Sequence, residues 1–188
     1  MNVKQIEAIF LDRDGTIGGD DKVHYPGKFE LFPYVEEEIK RLKKDNIKIF
    51  SFTNQPGISK GLAQRKDFVQ ELKGFGFNDV YICPHRHDEG CSCRKPNAGM
   101  LMEAQQKHEL MLENCVVIGD RWSDIVAATK VGCIKILVQT GAGKSALNEH
   151  FDKLNDVHID YIANDFQDAI SWVYSNFTIS NAYNSNRK

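Results

Sequence analysis

The chain has 188 residues, of which 41% are hydrophobic, and its formal net charge at pH 7 is −2. This near-neutral charge argues against a nucleic-acid-binding protein, and no apolar run approaches the ~20 residues of a transmembrane helix. The length suits one hydrophobic core, so we expect a single domain over 1–175 and a polar, disordered tail over 176–188. Because the first residues lack the apolar segment of a signal peptide, we expect a cytoplasmic protein, and we expect it to be a monomer.

Apolar segments alternate with helical patterns along the chain. Strands are predicted, in chain order, at 6–11, 47–53, 80–83, 116–119, 134–138 and 161–163. Helices are predicted between them, the first beginning at Pro33 with Val35, Ile39 and Leu42 as its apolar stripe, and the others at 65–74, 98–108, 123–131, 144–154 and 166–174. This alternation is typical of β-α-β units, so the sequence predicts an α/β fold with a mostly parallel sheet.

Two aspartates follow the first predicted strand: Asp12 and Asp14, with Gly15 and Thr16 next. Ligands of α/β proteins bind at the carboxyl ends of strands, and carboxylates there suit a phosphate and Mg²⁺ site. Asp12 is the candidate nucleophile, because a carboxylate can attack phosphorus, and Asp14 is the candidate general acid and base. Gly15 lets the backbone turn tightly beside the ligand. The alternative is a simple turn, in which Asp-x-Asp-Gly also occurs.

The second predicted strand ends in hydrogen-bonding side chains, Thr53, Asn54 and Gln55. If this strand lies beside the first, Thr53 and Asn54 share an edge of the sheet with Asp12 and can donate hydrogen bonds to a phosphoryl group. Their alternative role is to cap the turn that follows the strand. We interpret the three residues as candidates for binding the substrate.

A cysteine- and histidine-rich segment follows the third predicted strand: Cys83-Pro84-His85, then Cys91-Ser92-Cys93. This spacing predicts a four-coordinate, structural zinc site whose ligands are Cys83, His85, Cys91 and Cys93. His87 is an alternative ligand, and a disulfide among these cysteines is disfavoured in a reducing cytoplasm. The other two cysteines are expected to be buried packing residues: Cys115 and Cys133.

Two cations, Arg94 and Lys95, come directly after the cysteines and are followed by Pro96. Adjacent cations are usually solvated surface residues, but here a zinc ion would fix the loop that carries them. Such a loop can direct both side chains at phosphate oxygens with little ordering cost. We therefore expect Arg94 and Lys95 to bind the substrate.

The fourth predicted strand ends at Gly119 and Asp120, and Asp124 follows within the next turn. Asp120 is a further candidate ligand for Mg²⁺. Asp124 either supports a metal ligand or lies as a carboxylate at the start of the next helix. Further on, the segment 141–145 resembles the end of a phosphate-binding P-loop, but Val138 stands where the pattern needs its first glycine. We interpret that segment as a flexible loop before a helix.

Together, D-x-D-G-T, Thr-Asn, Lys and G-D-x-x-x-D in this order resemble the haloacid dehalogenase superfamily of magnesium-dependent phosphatases, over about residues 6–165. The resemblance implies a capless, Rossmann-like, doubly wound domain in which Asp12 is the nucleophile and Asp14 the acid and base. It also implies that Lys95 bridges nucleophile and phosphate, and that Mg²⁺ is bound by Asp12, the backbone carbonyl of Asp14 and Asp120. The implied substrate contacts are Arg94 and Lys95.

The zinc segment is similar to the branch that contains the heptose bisphosphate and histidinol-phosphate phosphatases. The stretches 53–61 and 97–100 are more similar to the heptose enzymes, whereas the five residues between His85 and Cys91 are closer to the histidinol enzymes. We therefore expect a phosphatase with Mg²⁺ and Zn²⁺ that acts on a small phosphorylated metabolite, a sugar bisphosphate first and histidinol phosphate second. Alternatives are a nucleic-acid 3′-end phosphatase, a receiver-type signalling domain and a non-catalytic, zinc-stapled binding module.

Overall fold

A six-stranded parallel sheet forms the centre of the computed structural model, which describes residues 4–179. The strands are, in chain order, β1 (Gln5–Ile6), β2 (Ala8–Leu11), β3 (Lys48–Asn54), β4 (Asp79–Cys83), β5 (Cys115–Gly119), β6 (Ile134–Val138), β7 (Tyr161–Ala163) and β8 (Thr178–Ile179). The central sheet has the order β4-β3-β2-β5-β6-β7 with every neighbouring pair parallel, while β1 and β8 pair separately. The parallel sheet expected from the sequence is confirmed.

Helices connect the successive strands of the central sheet. They are α1 (Val35–Lys44), α2 (Arg65–Gly74), α3 (Gly99–His108), α4 (Trp122–Thr129), α5 (Gly143–Asn148) and α6 (Phe166–Asn176). The chain builds outward from β2 to β4 and then returns to β5 on the other side of β2. In such a doubly wound sheet, the reversal between β2 and β5 opens a crevice at the carboxyl ends of the strands.

Both faces of the sheet are buried, which explains the nearly continuous apolar strands. Along β2, Ile9 and Leu11 pack in the layer that contains the predicted stripe of α1, whereas Ala8 and Phe10 pack on the opposite face against α3. Successive side chains of a strand point to opposite faces, so one four-residue strand serves two core layers. The second layer also holds the two cysteines predicted to be packing residues: Cys115 and Cys133.

The predicted strand 6–11 is divided at Glu7. The backbone N–H of Glu7 donates to the carbonyl of Asn114 at 3.0 Å, and its carboxylate accepts from the Met111 N–H and the Asn114 side chain. These polar contacts remove Glu7 from both sheets. The residues before it therefore pair with β8, and the residues after it enter the central sheet.

The second half of the chain departs from the predicted bounds in two places. The predicted helix 144–154 ends at Asn148 and is followed by a short 3₁₀ turn, in which Phe151 is 62% exposed, while Leu154 after the turn packs in a small core cluster. β8 lies within the segment expected to be a tail, of which 180–188 is outside the described residues. Along residues 4–179, the helices are all too short or too polar to cross a bilayer.

Candidate active site

The polar side chains singled out in the sequence meet at the carboxyl edge of the sheet. Asp12 follows β2, Thr53 and Asn54 end β3, and Asp120 follows β5. Because β2 lies between β3 and β5, these three strand ends are neighbours. A cavity of about 610 Å³ opens at this edge, and the candidate catalytic and substrate-binding residues that line it are Asp12, Asp14, Thr53, Asn54, Arg94 and Lys95.

Lys95 is buried against the carboxylate of Asp12. Its ammonium lies 3.0 Å from Asp12 Oδ2 and 2.5 Å from Asp124 Oδ1, and it donates to the carbonyl of Phe52 at 2.7 Å. Its backbone is held from β3, since the Lys95 N–H donates to Asn54 Oδ1 at 3.2 Å. Lys95 therefore forms one hydrogen bond and two ion pairs, and through the ion pairs it fixes the positions of two carboxylates.

Asp14 is held by donors on both of its oxygens. Oδ1 accepts from the Arg13 guanidinium and from the His24 N–H, each at 2.8 Å, and Oδ2 accepts from Gln55 Nε2 at 2.7 Å. Burial raises the pKa of Asp14 above its ordinary value, against the lowering effect of Arg13. A fixed carboxyl group with a raised pKa at the cavity wall suits a general acid and base.

Three buried carboxylates, Asp12, Asp120 and Asp124, form a cluster whose ligand atoms lie within 4.8 Å of one another. Burial and the two neighbouring carboxylates raise the pKa of Asp120 to about 8, and burial raises that of Asp124 to about 6. Hard oxygen ligands with an excess of negative charge are what Mg²⁺ requires, so this cluster fits the cation. The structure places Asp124 within the cluster, where it contacts Lys95 as well as lying in the first turn of α4.

Two glycines allow this cluster to be packed. Gly15 has a φ of +79°, and a Cβ there would lie 2.2 Å from Asp120 Oδ2. A Cβ on Gly141 would lie 2.5 Å from the Gly15 Cα, so neither position tolerates a side chain. The loop that begins at Gly141 also brings the Ala142 N–H to 2.7 Å from Asp120 Oδ2. The sequence analysis did not predict this contact. The glycine-rich segment 141–145, directly after a strand, could have indicated it.

The raised pKa of Asp120 predicts how Mg²⁺ binding depends on pH. In the metal-free protein this carboxyl group holds a proton up to about pH 8, whereas its ordinary pKa is 3.8. The folded state therefore loses stability relative to the unfolded state as the pH rises from about 4 to about 8. Binding Mg²⁺ displaces the proton and should therefore be weaker at low pH. We expect Mg²⁺ to raise the melting temperature more at about pH 8.5 than at about pH 6. Thermal unfolding with Mg²⁺ and with a chelator measures this, and Asp120→Asn should abolish the difference.

A second cluster contains Cys83, His85, Cys91 and Cys93. Sulfur separations are 3.6 Å for Cys83–Cys91 and 3.5 Å for Cys91–Cys93, and His85 Nδ1 lies 3.2 Å from the sulfur of Cys93 and 3.6 Å from that of Cys83. Zn–S bonds of about 2.3 Å in a tetrahedron place sulfurs about 3.8 Å apart, so the four residues fit zinc. The three cysteines of the cluster form no disulfide, and His87, the alternative ligand, lines the cavity rather than joining this cluster.

The zinc segment also positions Arg94, whose guanidinium donates to the His85 carbonyl at 3.0 Å and lines the cavity. Gln55, in contrast, has no exposed surface and does not line the cavity. Its amide contacts Asp14 and the hydroxyl of Thr53, at 2.7 and 3.0 Å. The structure thus places Gln55 behind the site, where it orients two other residues, rather than against the substrate.

Comparison with known proteins identifies similar sequences. Residues 92–169 match the family described as HAD-hydrolase-like. The D-glycero-β-D-manno-heptose-1,7-bisphosphate 7-phosphatase of Photorhabdus laumondii is 37% identical over 155 residues, which cover 72% of this chain and 82% of the relative. The D-glycero-α-D-manno-heptose-1,7-bisphosphate 7-phosphatase of Campylobacter jejuni is 40% identical over 131 residues, which cover 64% of this chain and 75% of the relative.

A solved structure has the same fold. The crystal structure of D,D-heptose 1,7-bisphosphate phosphatase from B. bronchiseptica, complexed with magnesium and phosphate, superposes with a TM-score of 0.76 at 27% identity. The alignment covers 92% of this chain and 98% of that structure. The match therefore extends over nearly all of both chains.

Proposed function

This chain belongs to the haloacid dehalogenase-like hydrolases, and we propose that it removes one phosphate from a sugar bisphosphate by way of a phosphorylated Asp12. The observation that carries this proposal is the position of the Asp12 carboxylate. It faces the cavity, is ion-paired with Lys95 at 3.0 Å and lies beside Asp14. A carboxylate nucleophile, a neighbouring acid and a carboxylate cluster are the groups that phosphoryl transfer requires.

In the first step, a carboxylate oxygen of Asp12 forms a bond to phosphorus, and the bond from phosphorus to the sugar oxygen breaks. Asp14 donates its proton to that oxygen, so the sugar leaves as an alcohol. The Arg13 N–H donates to Asp12 Oδ1 at 2.7 Å, and Lys95 contacts Oδ2, so the carboxylate has a fixed orientation for attack.

In the second step, Asp14 acts as a base. It takes a proton from a water molecule whose oxygen bonds to phosphorus, and the bond from phosphorus to Asp12 breaks. Phosphate leaves, Asp12 is again a carboxylate, and Asp14 is again protonated for the next cycle. The side chains of Thr53 and Asn54 line the cavity and are available to donate hydrogen bonds to the phosphoryl oxygens.

We propose that Asp12, Asp120 and the Asp14 backbone carbonyl hold Mg²⁺, with the carboxylate of Asp124 next to them. When bound, Mg²⁺ neutralises charge on the carboxylates and on the phosphoryl group. We further propose that zinc at the four-residue cluster stabilises the loop carrying Arg94 and Lys95. We also propose that the enzyme is cytoplasmic, because reducing conditions there keep the cysteines available as ligands, and that it is a monomer.

The charges around the cavity favour a bisphosphate. Besides Lys95, which is paired with Asp12 and Asp124, four cationic side chains line it: Lys22, Arg86, Arg94 and Arg121. A second phosphate would find partners there, whereas the ammonium group of histidinol phosphate would meet like charges. The names of the relatives point in the same direction, since they are heptose-1,7-bisphosphate 7-phosphatases.

A substrate screen tests the proposal. Initial rates are measured with both anomers of D-glycero-D-manno-heptose 1,7-bisphosphate, with histidinol phosphate and with an oligonucleotide 3′-phosphate. We expect the highest kcat/KM for a sugar bisphosphate, at or below the diffusional ceiling of about 10⁸ M⁻¹s⁻¹. Faster turnover of histidinol phosphate would contradict the proposed substrate class, and failure to hydrolyse any ester would contradict the phosphatase itself.

Replacing Arg94 tests how the second phosphate is bound. A charge-assisted contact is worth about 1.5–3 kcal/mol, so Arg94→Ala should raise KM for a sugar bisphosphate about tenfold or more. An aryl phosphate, which has no second phosphate, should be affected less. Steady-state kinetics on both substrates measures this, with Arg41→Ala on α1 as a control for loss of an arginine outside the cavity. Equal losses on both substrates would show that Arg94 binds the reacting phosphate.

A further inference from the structure

Arg13, the residue between the two active-site aspartates, has no exposed surface although it carries a charge. A buried guanidinium is costly unless its N–H groups are paired. Arg13 donates through Nε and Nη2 to Glu71 Oε2 at 3.1 and 2.6 Å, and through Nη1 to Asp14 Oδ1 at 2.8 Å. Glu71 belongs to α2, so Arg13 connects that helix to the candidate acid and base.

The same two residues hold the loop beside the cavity, which we name the pocket loop (residues 20–27). Arg13 Nη1 also donates to the His24 carbonyl at 2.7 Å, and Glu71 Oε1 accepts from the Gly27 N–H at 3.1 Å. Asp14 itself accepts from the His24 N–H. Two residues of the pocket loop, Lys22 and Val23, line the cavity. The ion pair of buried Arg13 with partly buried Glu71 therefore contacts both the proton-transfer carboxylate and a wall of the substrate site.

The plane of the Arg13 guanidinium is fixed by aromatic rings. Its carbon lies 3.7 Å from the centre of the Phe29 ring and 5.2 Å from that of Phe68. A lysine at this position would keep the charge but would lack the planar fork that reaches Asp14, Glu71 and the pocket loop together. These contacts therefore require the planar, forked guanidinium group of arginine.

On the premise of the proposed function, we propose that Arg13 and Glu71 are positioning residues that hold Asp14 and the pocket loop in the arrangement needed for proton transfer to the leaving group. Oδ1 of Asp14 accepts from both Arg13 and His24, whereas Oδ2 accepts from Gln55 alone, so Oδ2 is the oxygen with room to carry the proton. Neither Arg13 nor Glu71 lines the cavity, so each acts through Asp14 and the pocket loop.

The test compares two esters of similar shape, phenyl phosphate and 4-nitrophenyl phosphate. Phenol is a poor leaving group that needs a proton, whereas 4-nitrophenol leaves readily without one. In Arg13→Lys we expect kcat/KM, which reports only the steps up to release of the phenol, to fall about tenfold or more for phenyl phosphate and less than about threefold for 4-nitrophenyl phosphate. Glu71→Gln should show the same ordering with smaller losses, and both variants should raise KM for the sugar bisphosphate.

The chain offers a matched control pair on α1. Arg41 lies 3.5 Å from Glu38 and stacks at 3.7 Å on Tyr174, outside the cavity, so Arg41→Lys and Glu38→Gln repeat the chemical changes without the contacts to Asp14. Control variants should retain the wild-type ratio of the two rates. If Arg13→Lys does not fold, as judged by circular dichroism, Glu71→Gln decides the question.

The outcomes separate this inference from the proposed function. Wild-type protein that hydrolyses no phosphate ester would overturn the proposed function. Active wild-type protein whose variants lose the same factor on both aryl esters would overturn the positioning role alone, since a general loss of folded enzyme lowers both rates equally. A selective loss on phenyl phosphate, absent from the control pair, supports it.

Discussion

Asp12→Asn is expected to reduce turnover about a thousandfold or more while leaving the fold intact, because an amide is nearly isosteric with a carboxylate but is a poor nucleophile. The Arg13 N–H would keep its acceptor, the amide oxygen at the Oδ1 position. The amide NH₂ would then face the Lys95 ammonium at the position where Oδ2 now lies 3.0 Å away. Lys95 would retain Asp124 and the Phe52 carbonyl, so the loss of melting temperature should be small.

Initial rates on the best substrate of the screen measure the effect, and acid quenching with radiolabelled substrate detects phosphate bound to the protein. Wild-type protein should retain label, and Asp12→Asn should retain none. The matched control is Asp160→Asn, an aspartate that lies just before β7 at the far edge of the sheet and is ion-paired with Lys135 at 3.0 Å. Full activity in purified Asp12→Asn would rule out the covalent mechanism.

The sequence was informative about the site because the fold makes strand ends converge. Once the alternation of strands and helices indicates a parallel sheet, residues directly after the strands must lie at one edge. Asp12, Thr53 and Asp120 could therefore be predicted to meet without knowledge of any contact between them. The zinc cluster was equally accessible, since Cys83, His85, Cys91 and Cys93 are close in the chain and their chemistry is specific.

Other parts of the site depend on tertiary contacts that no local pattern records. In the sequence, Arg13 is one more polar residue in a strand-end motif, and the pattern places its partner Glu71 on the surface of α2. Whether Gln55 faces the substrate or the interior depends on a small rotation at the end of β3, and the structure turns it toward Asp14. The Ala142 N–H reaches Asp120 only because Gly15 and Gly141 allow two backbones to touch.

Removing the zinc ligand Cys91 is expected to lower thermal stability and activity together. Loss of a structural metal site costs several kcal/mol, and for a chain of this size about 4 kcal/mol corresponds to a decrease in melting temperature of about 8–16 °C. Activity should fall as well, because Arg94 is held by the His85 carbonyl at 3.0 Å and Lys95 follows it directly. Without the metal, the loop loses the constraint that directs both cations to the cavity.

Metal analysis and thermal unfolding of Cys91→Ser measure this. Wild-type protein should contain about one zinc per chain, retained under mild chelation that reversibly removes Mg²⁺ and activity. Cys115→Ser is the matched control: it introduces the same polar atom into the buried core layer and should lower stability while keeping the zinc. Zinc-free wild-type protein with full activity and an unchanged melting temperature would refute the structural role, because the loop would then be held by its protein contacts alone.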